Sequence, residues 1–227
     1  MSSPVIVALD GMNQERALQL AEELRGEVWG FKVNDLLLDC GVEIIRRLSK
    51  FGHVFADPKL NDIPNTVSNS VRKLVAAGAD LITVHGSAGE VALKKAKEAA
   101  GDSKILAITV LTSFAPSAAE YVFGKNVDAA VTHFAGIAAQ SGVDGVVCSP
   151  KELTLLSKEP ALRALLKVTP GVRPAWYESA GDDQSRTLTP REAMQAGAGL
   201  LVIGRPITGA ENPLEAARRV NQELLEG

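Results

Sequence analysis

The sequence predicts an α/β protein, a single (β/α)8 TIM barrel, on three observations. Short β-branched runs alternate with amphipathic stretches from end to end, eight such runs fit within 227 residues, and no linker or low-complexity segment divides them. Parallel neighbours need crossover connections, which the intervening helical stretches supply. Eight units in a chain of this length favour a closed barrel over an open doubly wound sheet, and barrels of this size are commonly undivided. One domain is expected over 1–227.

In order, the predicted strands are Val5–Leu9, Val28–Val33, Val54–Lys59, Leu81–His85, Ile105–Leu111, Gly145–Cys148, Leu165–Thr169 and Leu200–Ile203. After the third, Ile63, Val67, Val71, Leu74 and Val75 recur at helical spacing and predict one apolar helix face. Two helix starts are explicit. Ser149-Pro150-Lys151-Glu152 and Thr189-Pro190-Arg191-Glu192 each combine a capping hydroxyl, proline in the first turn and a returning glutamate. Gly197 suits a left-handed stop to the second of these helices. Arg173 to Leu188, between the seventh and eighth strands, is long, polar and glycine-bearing. It reads either as a surface loop or as a lid over a ligand.

Composition narrows the function classes. A hydrophobic fraction of 46% supports a sizeable core, and no apolar run approaches a membrane span. A net charge of −3 with interspersed signs argues against a nucleic-acid surface. No secretory signal pattern opens the chain. Cys40 and Cys148 each sit among aliphatic residues and read as reduced core thiols, which fits a cytoplasmic address. His53, His85 and His133 are not paired at ligand spacing, so no histidine-rich metal site is expected.

Barrel enzymes carry their chemistry at the C-terminal ends of the strands. Here Asp10 ends the first predicted strand, Lys32 the second, and Asp57 with Lys59 the third. Thr112 follows the fifth, Gly171 and Arg173 the seventh, and Gly204 and Arg205 the eighth. Polar groups at so many strand ends mark this rim as a site. Asp57 and Lys59 are two apart in a strand and so face the same side. With Lys32 and Asp62 they make four alternating charges able to meet in one pocket. Such a cluster is either a structural ion-pair network or catalytic machinery; the neighbouring phosphate site favours the second. That phosphate site is read from Thr169-Pro170-Gly171-Val172-Arg173 and Val202-Ile203-Gly204-Arg205-Pro206, which supply glycines for close backbone approach and arginines for bidentate contact. Gln184 in the long loop joins them. The expected protein is an enzyme acting on a small phosphorylated molecule.

The residues Ile6-Val7-Ala8-Leu9-Asp10, Phe31-Lys32-Val33, Leu111-Thr112-Ser113 and Gly181-Asp182-Asp183-Gln184, with the two phosphate pentapeptides, resemble the orotidine 5′-phosphate decarboxylase family along essentially the whole chain. The most specific part is Asp57-Pro58-Lys59-Leu60-Asn61-Asp62-Ile63-Pro64-Asn65-Thr66. The resemblance implies a metal-free decarboxylation in pyrimidine nucleotide biosynthesis, in a homodimer, with no cofactor. It implies that Lys59 protonates carbon 6 of the pyrimidine, that Asp57 lies against the departing carboxylate, and that Lys32 holds Asp57 and a ribose hydroxyl. Asp62 would serve the partner subunit's site. Asp10 and Thr66 would bind ribose hydroxyls, Thr66 again from the neighbour, with Ile63 among the substrate-contacting positions. Thr112 would read the pyrimidine edge, and Arg173, Gln184, Gly204 and Arg205 would hold the phosphate.

Three departures from the family pattern stand out. Pro58 replaces a more usual leucine and removes a backbone donor within a strand, so a locally altered ladder is expected. Asn34 stands where glycine is common and either contacts the ribose region or caps the following helix. Leu60-Asn61 replaces a phenylalanine–histidine pair on the stretch that aims Asp62. Related sugar-phosphate decarboxylases and aldol-type synthases share the Asp-x-Lys-x-x-Asp string but use magnesium, with an acidic ligand where this chain has Lys32. A lysine there would repel the cation. A non-catalytic phosphate-binding barrel would explain the phosphate loops but not the four charges.

Overall fold

The computed structural model describes residues 3–177 and 187–225. Eight parallel strands close in sequential order: β1 (Val5–Ala8), β2 (Gly30–Val33), β3 (His53–Leu60), β4 (Leu81–His85), β5 (Lys104–Ile108), β6 (Gly145–Val147), β7 (Leu166–Pro170) and β8 (Leu200–Ile203). Helices follow the strands and cover the outside, so the strands are buried on both faces, as their near-continuous apolar runs require. Inward-facing residues such as Ile6, Phe55, Leu106, Val168 and Val202 fill the barrel. The outward-facing set packs against helices in a larger core that includes Phe31, Ile44, Val71 and Val131. The barrel is a packed interior, and its cavity opens only above this layer.

Strand positions follow the predicted ones: Leu81–His85 and Leu200–Ile203 coincide, and no end of the others is displaced by more than three residues. β5 stops at Ile108 although the apolar run continues through Val110 and Leu111, because these residues leave the sheet to line the cavity. The helix after β3 spans Pro64–Ala77 and buries Val67, Val71 and Leu74. Ile63 does not share that face. It precedes Pro64, adopts φ −59° and ψ 150°, and is 67% exposed, because a residue before proline is pushed out of the helical region. At Thr189 both arms of the capping box form, Thr189 N–H donating to Glu192 Oε2 at 2.8 Å and Glu192 N–H to Thr189 Oγ1 at 3.2 Å. Ser149 N–H likewise donates to Glu152 Oε2 at 2.8 Å, but the chain there makes a 3-10 turn before entering helix Leu153–Lys158. Gly197, with φ 104°, takes the left-handed stop.

β3 contains one irregularity. Its register against β4 runs from Ala56 opposite Ile82 to Leu60 opposite Val84, so Asp57, Pro58 and Lys59 together face the single residue Thr83. Pro58 has no N–H to give the ladder. Lys59 has φ 49°, the one positive value at a non-glycine among the described residues. The extra residues number two, which preserves the alternation of faces, so Asp57 and Lys59 still point inward.

Candidate active site

At the C-terminal end of the barrel lies a cavity of about 480 Å³, within the usual range of small-molecule sites. Asp10, Lys32, Asp57 and Lys59 line one side. Gly171, Arg173, Gly204 and Arg205 line the other, and Thr112 lies between. Parallel register explains this placement: Lys32 is level with Ala8 and Phe55, both inward-facing, so its side chain rises inside the barrel.

The charged side is tightly ordered. Lys32 Nζ donates to both carboxylate oxygens of Asp10, at 2.8 and 2.7 Å, and stands 3.5 Å from Asp57 Oδ2. Lys59 Nζ donates to the same Asp57 oxygen at 2.7 Å. Lys32 and Asp57 are only 7% and 6% exposed, so these charges are stabilised by one another rather than by water. Thr83 Oγ1 donates to Asp57 Oδ1 at 2.9 Å, and Asn34 Nδ2 donates to the Asp57 backbone carbonyl at 2.6 Å. Asn34 therefore supports the bulge, while the following helix is capped by Asp35.

Asp62, Ile63 and Thr66 stand outside this cavity. All three are exposed, and Asp62 Oδ1 accepts from the N–H of Ile63 at 2.6 Å. Within the chain the expected array of four charges is thus an array of Lys32, Asp57 and Lys59 completed by Asp10. Gln184, with Gly181, Asp182 and Asp183, lies outside the described residues, as does most of the predicted lid. Of that loop's first residues, Trp176 lies against the C-terminal helix Pro213–Leu225, its ring 4.6 Å from the Arg219 guanidinium.

On the opposite side, Gly171 has φ 78°, a conformation that favours glycine and turns the chain inward after β7. Gly204 precedes the short helix Arg205–Thr208, whose first N–H groups have no partner within the helix and face an anion readily. With two arginines beside them, these backbone groups can hold a phosphate.

A family model described as orotidine 5′-phosphate decarboxylase / HUMPS family matches residues 3–220. The chain belongs to this family. The orotidine 5′-phosphate decarboxylase of Maridesulfovibrio salexigens is 41% identical over 231 residues, covering 98% of this chain and 99% of that one. The crystal structure of the enzyme of that name from Lactobacillus acidophilus superposes with a TM-score of 0.84 at 34% identity, over 98% of this chain and 99% of its own. The enzyme from Methanocaldococcus jannaschii, solved in complex with the inhibitor BMP, gives 0.80 at 25% identity over the whole of both chains. Kinship at this level with the orotidine 5′-phosphate decarboxylases makes the chain an enzyme of the carboxy-lyase class.

Two further residues, one lining the cavity and one feeling the charge of Lys59, were not legible in the family motif. Cys148 lines the cavity, yet burial, followed by the charge of Glu152, pushes its thiol up to about 12. It stays protonated and is no nucleophile. His85, at the end of β4, is held below its ordinary value first by burial and then by the charge of Lys59. Its Nδ1 lies 2.7 Å from Ser87 Oγ. No group of three or more histidine, cysteine or carboxylate side chains suited to a metal ion occurs among the described residues.

Proposed function

We propose that the chain decarboxylates orotidine 5′-phosphate to uridine 5′-phosphate without a metal ion, Lys59 delivering the proton. The observation that carries this reading is the placement of Lys59 Nζ, 2.7 Å from a buried aspartate, in one cavity with Arg173, Gly204 and Arg205. The phosphate would lie at the arginine side and the pyrimidine over Lys59, its edge toward Thr112. Asp57 would face the substrate carboxylate, and Asp10 with Lys32 the ribose hydroxyls. As the bond to the carboxylate breaks, its electron pair stays on carbon 6. The Lys59 ammonium stabilises that charge and then gives carbon 6 a proton, to be regained from solvent.

One such charge pair at ~4 Å supplies roughly 4 kcal/mol at an effective dielectric near 20. Large enzymatic accelerations require about 8–23 kcal/mol. The rest is assigned to the remote phosphate, whose binding energy orders the site around the reacting ring, with Gln184 joining Arg173 and Arg205. The metal-free route is supported by Lys32. Its ammonium occupies the space between Asp10 and Asp57, where a divalent cation would meet a like charge.

A homodimer is part of the same reading. Asp62, Ile63 and Thr66 are exposed and do not line their own cavity, and Leu38, on the preceding β/α unit, is 89% exposed. A second copy packed over this region would bury the apolar pair and bring Asp62 and Thr66 to its neighbour's site. The partner is a second chain and the ligand a small nucleotide, with no nucleic-acid or membrane role. The free cysteines accord with the cytoplasm.

The test mixes the purified chain with orotidine 5′-phosphate in excess EDTA and follows ultraviolet absorbance. Sustained conversion to uridine 5′-phosphate is expected. Activity lost to EDTA and restored by magnesium would point to the metal-dependent branch, and binding without turnover to a non-catalytic barrel.

A further inference from the structure

Resting on that reading, we infer that Thr83 is a positioning residue for the decarboxylation, setting both the Asp57 carboxylate and the backbone that carries Lys59. Thr83 lies on β4, is fully buried, and does not line the cavity. Its hydroxyl nevertheless makes two bonds to the reacting cluster. It accepts from Lys59 N–H at 2.9 Å and donates to Asp57 Oδ1 at 2.9 Å.

These two bonds constrain one another. A hydroxyl has one hydrogen, and its lone pairs point elsewhere. Accepting from Lys59 N–H leaves that hydrogen directed at Asp57. With Oδ1 occupied, rotation of the carboxylate is blocked and Oδ2 is left facing both ammonium groups, Lys59 at 2.7 Å and Lys32 at 3.5 Å. The backbone bond matters equally. Within the bulge Pro58 offers no donor, and Lys59 adopts φ 49°, a conformation a side-chain-bearing residue holds only when its surroundings enforce it. The Thr83 hydroxyl supplies the bond that would otherwise come from a strand carbonyl. A valine or isoleucine at this position would fill the same space and leave both groups unanswered.

The phosphate is held by residues after β7 and β8, across the cavity, so loss of the Thr83 hydroxyl should spare binding and damage the chemical step. The experiment compares wild type, the isosteric Thr83→Val and the hydroxyl-retaining Thr83→Ser. It reads kcat and KM with orotidine 5′-phosphate, affinity for uridine 5′-phosphate by calorimetry, and thermal melting. Thr83→Val is expected to lose roughly 10- to 100-fold in kcat, the scale of one hydrogen bond to a charged group. Its KM and product affinity should stay within about threefold of wild type, and Thr83→Ser should recover most of the lost kcat. A Thr83→Val enzyme as fast as wild type overturns the inference. So does a variant whose loss falls equally on binding and melting temperature, or a serine variant no better than valine. A wild-type chain that leaves the substrate unchanged overturns the inference together with the functional reading, whereas an active wild type with an unaffected valine variant overturns the inference alone.

Discussion

Lys59 shows how much this site asks of single residues. Its side chain must reach Asp57 while its backbone holds a left-handed conformation, and both demands are met by partners on the bulge and the adjacent strand. Two ammonium and two carboxylate groups balance within the cluster, so removing any one leaves a poorly solvated charge behind. His85 adds a pH dependence. Burial and the neighbouring Lys59 charge lower its pKa from the ordinary 6.5, so the fold prefers the neutral ring. Its contribution to stability is complete above 6.5, and the unfolded chain binds the extra proton below it. Stability is lost as pH falls through the lower folded value. Melting temperatures measured from pH 8 to pH 5 should therefore decline on the acid side less steeply in His85→Gln than in wild type. Parallel curves would exclude His85 as a source of that dependence.

At the level of elements, the strands were legible because inward and outward faces are both buried, and apolar runs bounded by helix signals leave little choice. Lys32, Asp57 and Lys59 were legible for a related reason, being charges at the ends of such runs. Thr83, Asn34 and Lys167 were not. Thr83 looks like any β-branched strand residue, and its value lies in a bond to the adjacent strand that no local pattern encodes. Lys167, near the start of β7, is 4% exposed, and its Nζ donates to the carbonyls of Leu162, Arg163 and Leu165 at 3.4, 3.2 and 3.2 Å. It closes the C-terminal end of helix Pro160–Arg163, where carbonyls lack intrahelical partners and favour a cation. Lys167→Met keeps the volume and removes the donor. It should cost about 1–3 kcal/mol, as expected for buried carbonyls left unpaired. Denaturant unfolding would measure it, and an unchanged midpoint would show that water replaces the ammonium.

Across the whole molecule the two rims divide the labour. At the N-terminal rim, Trp29 stacks on His53 at 4.5 Å and His53 meets Asp80 at 2.8 Å, contacts that join neighbouring strand starts, while Arg218 meets Glu27 at 2.7 Å and ties the C-terminal helix to the turn before β2. The opposite rim keeps the cavity, and beside it the exposed Asp62, Ile63 and Thr66, which the proposed homodimer would bring to the neighbouring site. Complementation tests this directly. Lys59→Ala and Asp62→Ala should each be nearly inactive as homodimers, since every site then lacks one of the two residues. In a hybrid dimer with shared sites, one site receives both substitutions and the other receives neither. Random reassortment makes half of the dimers hybrid, each with one intact site of two, so co-expressed or co-refolded variants should recover about a quarter of wild-type activity. If each cavity instead used its own Asp62, no combination would contain an intact site, and the mixture would stay as inactive as its components.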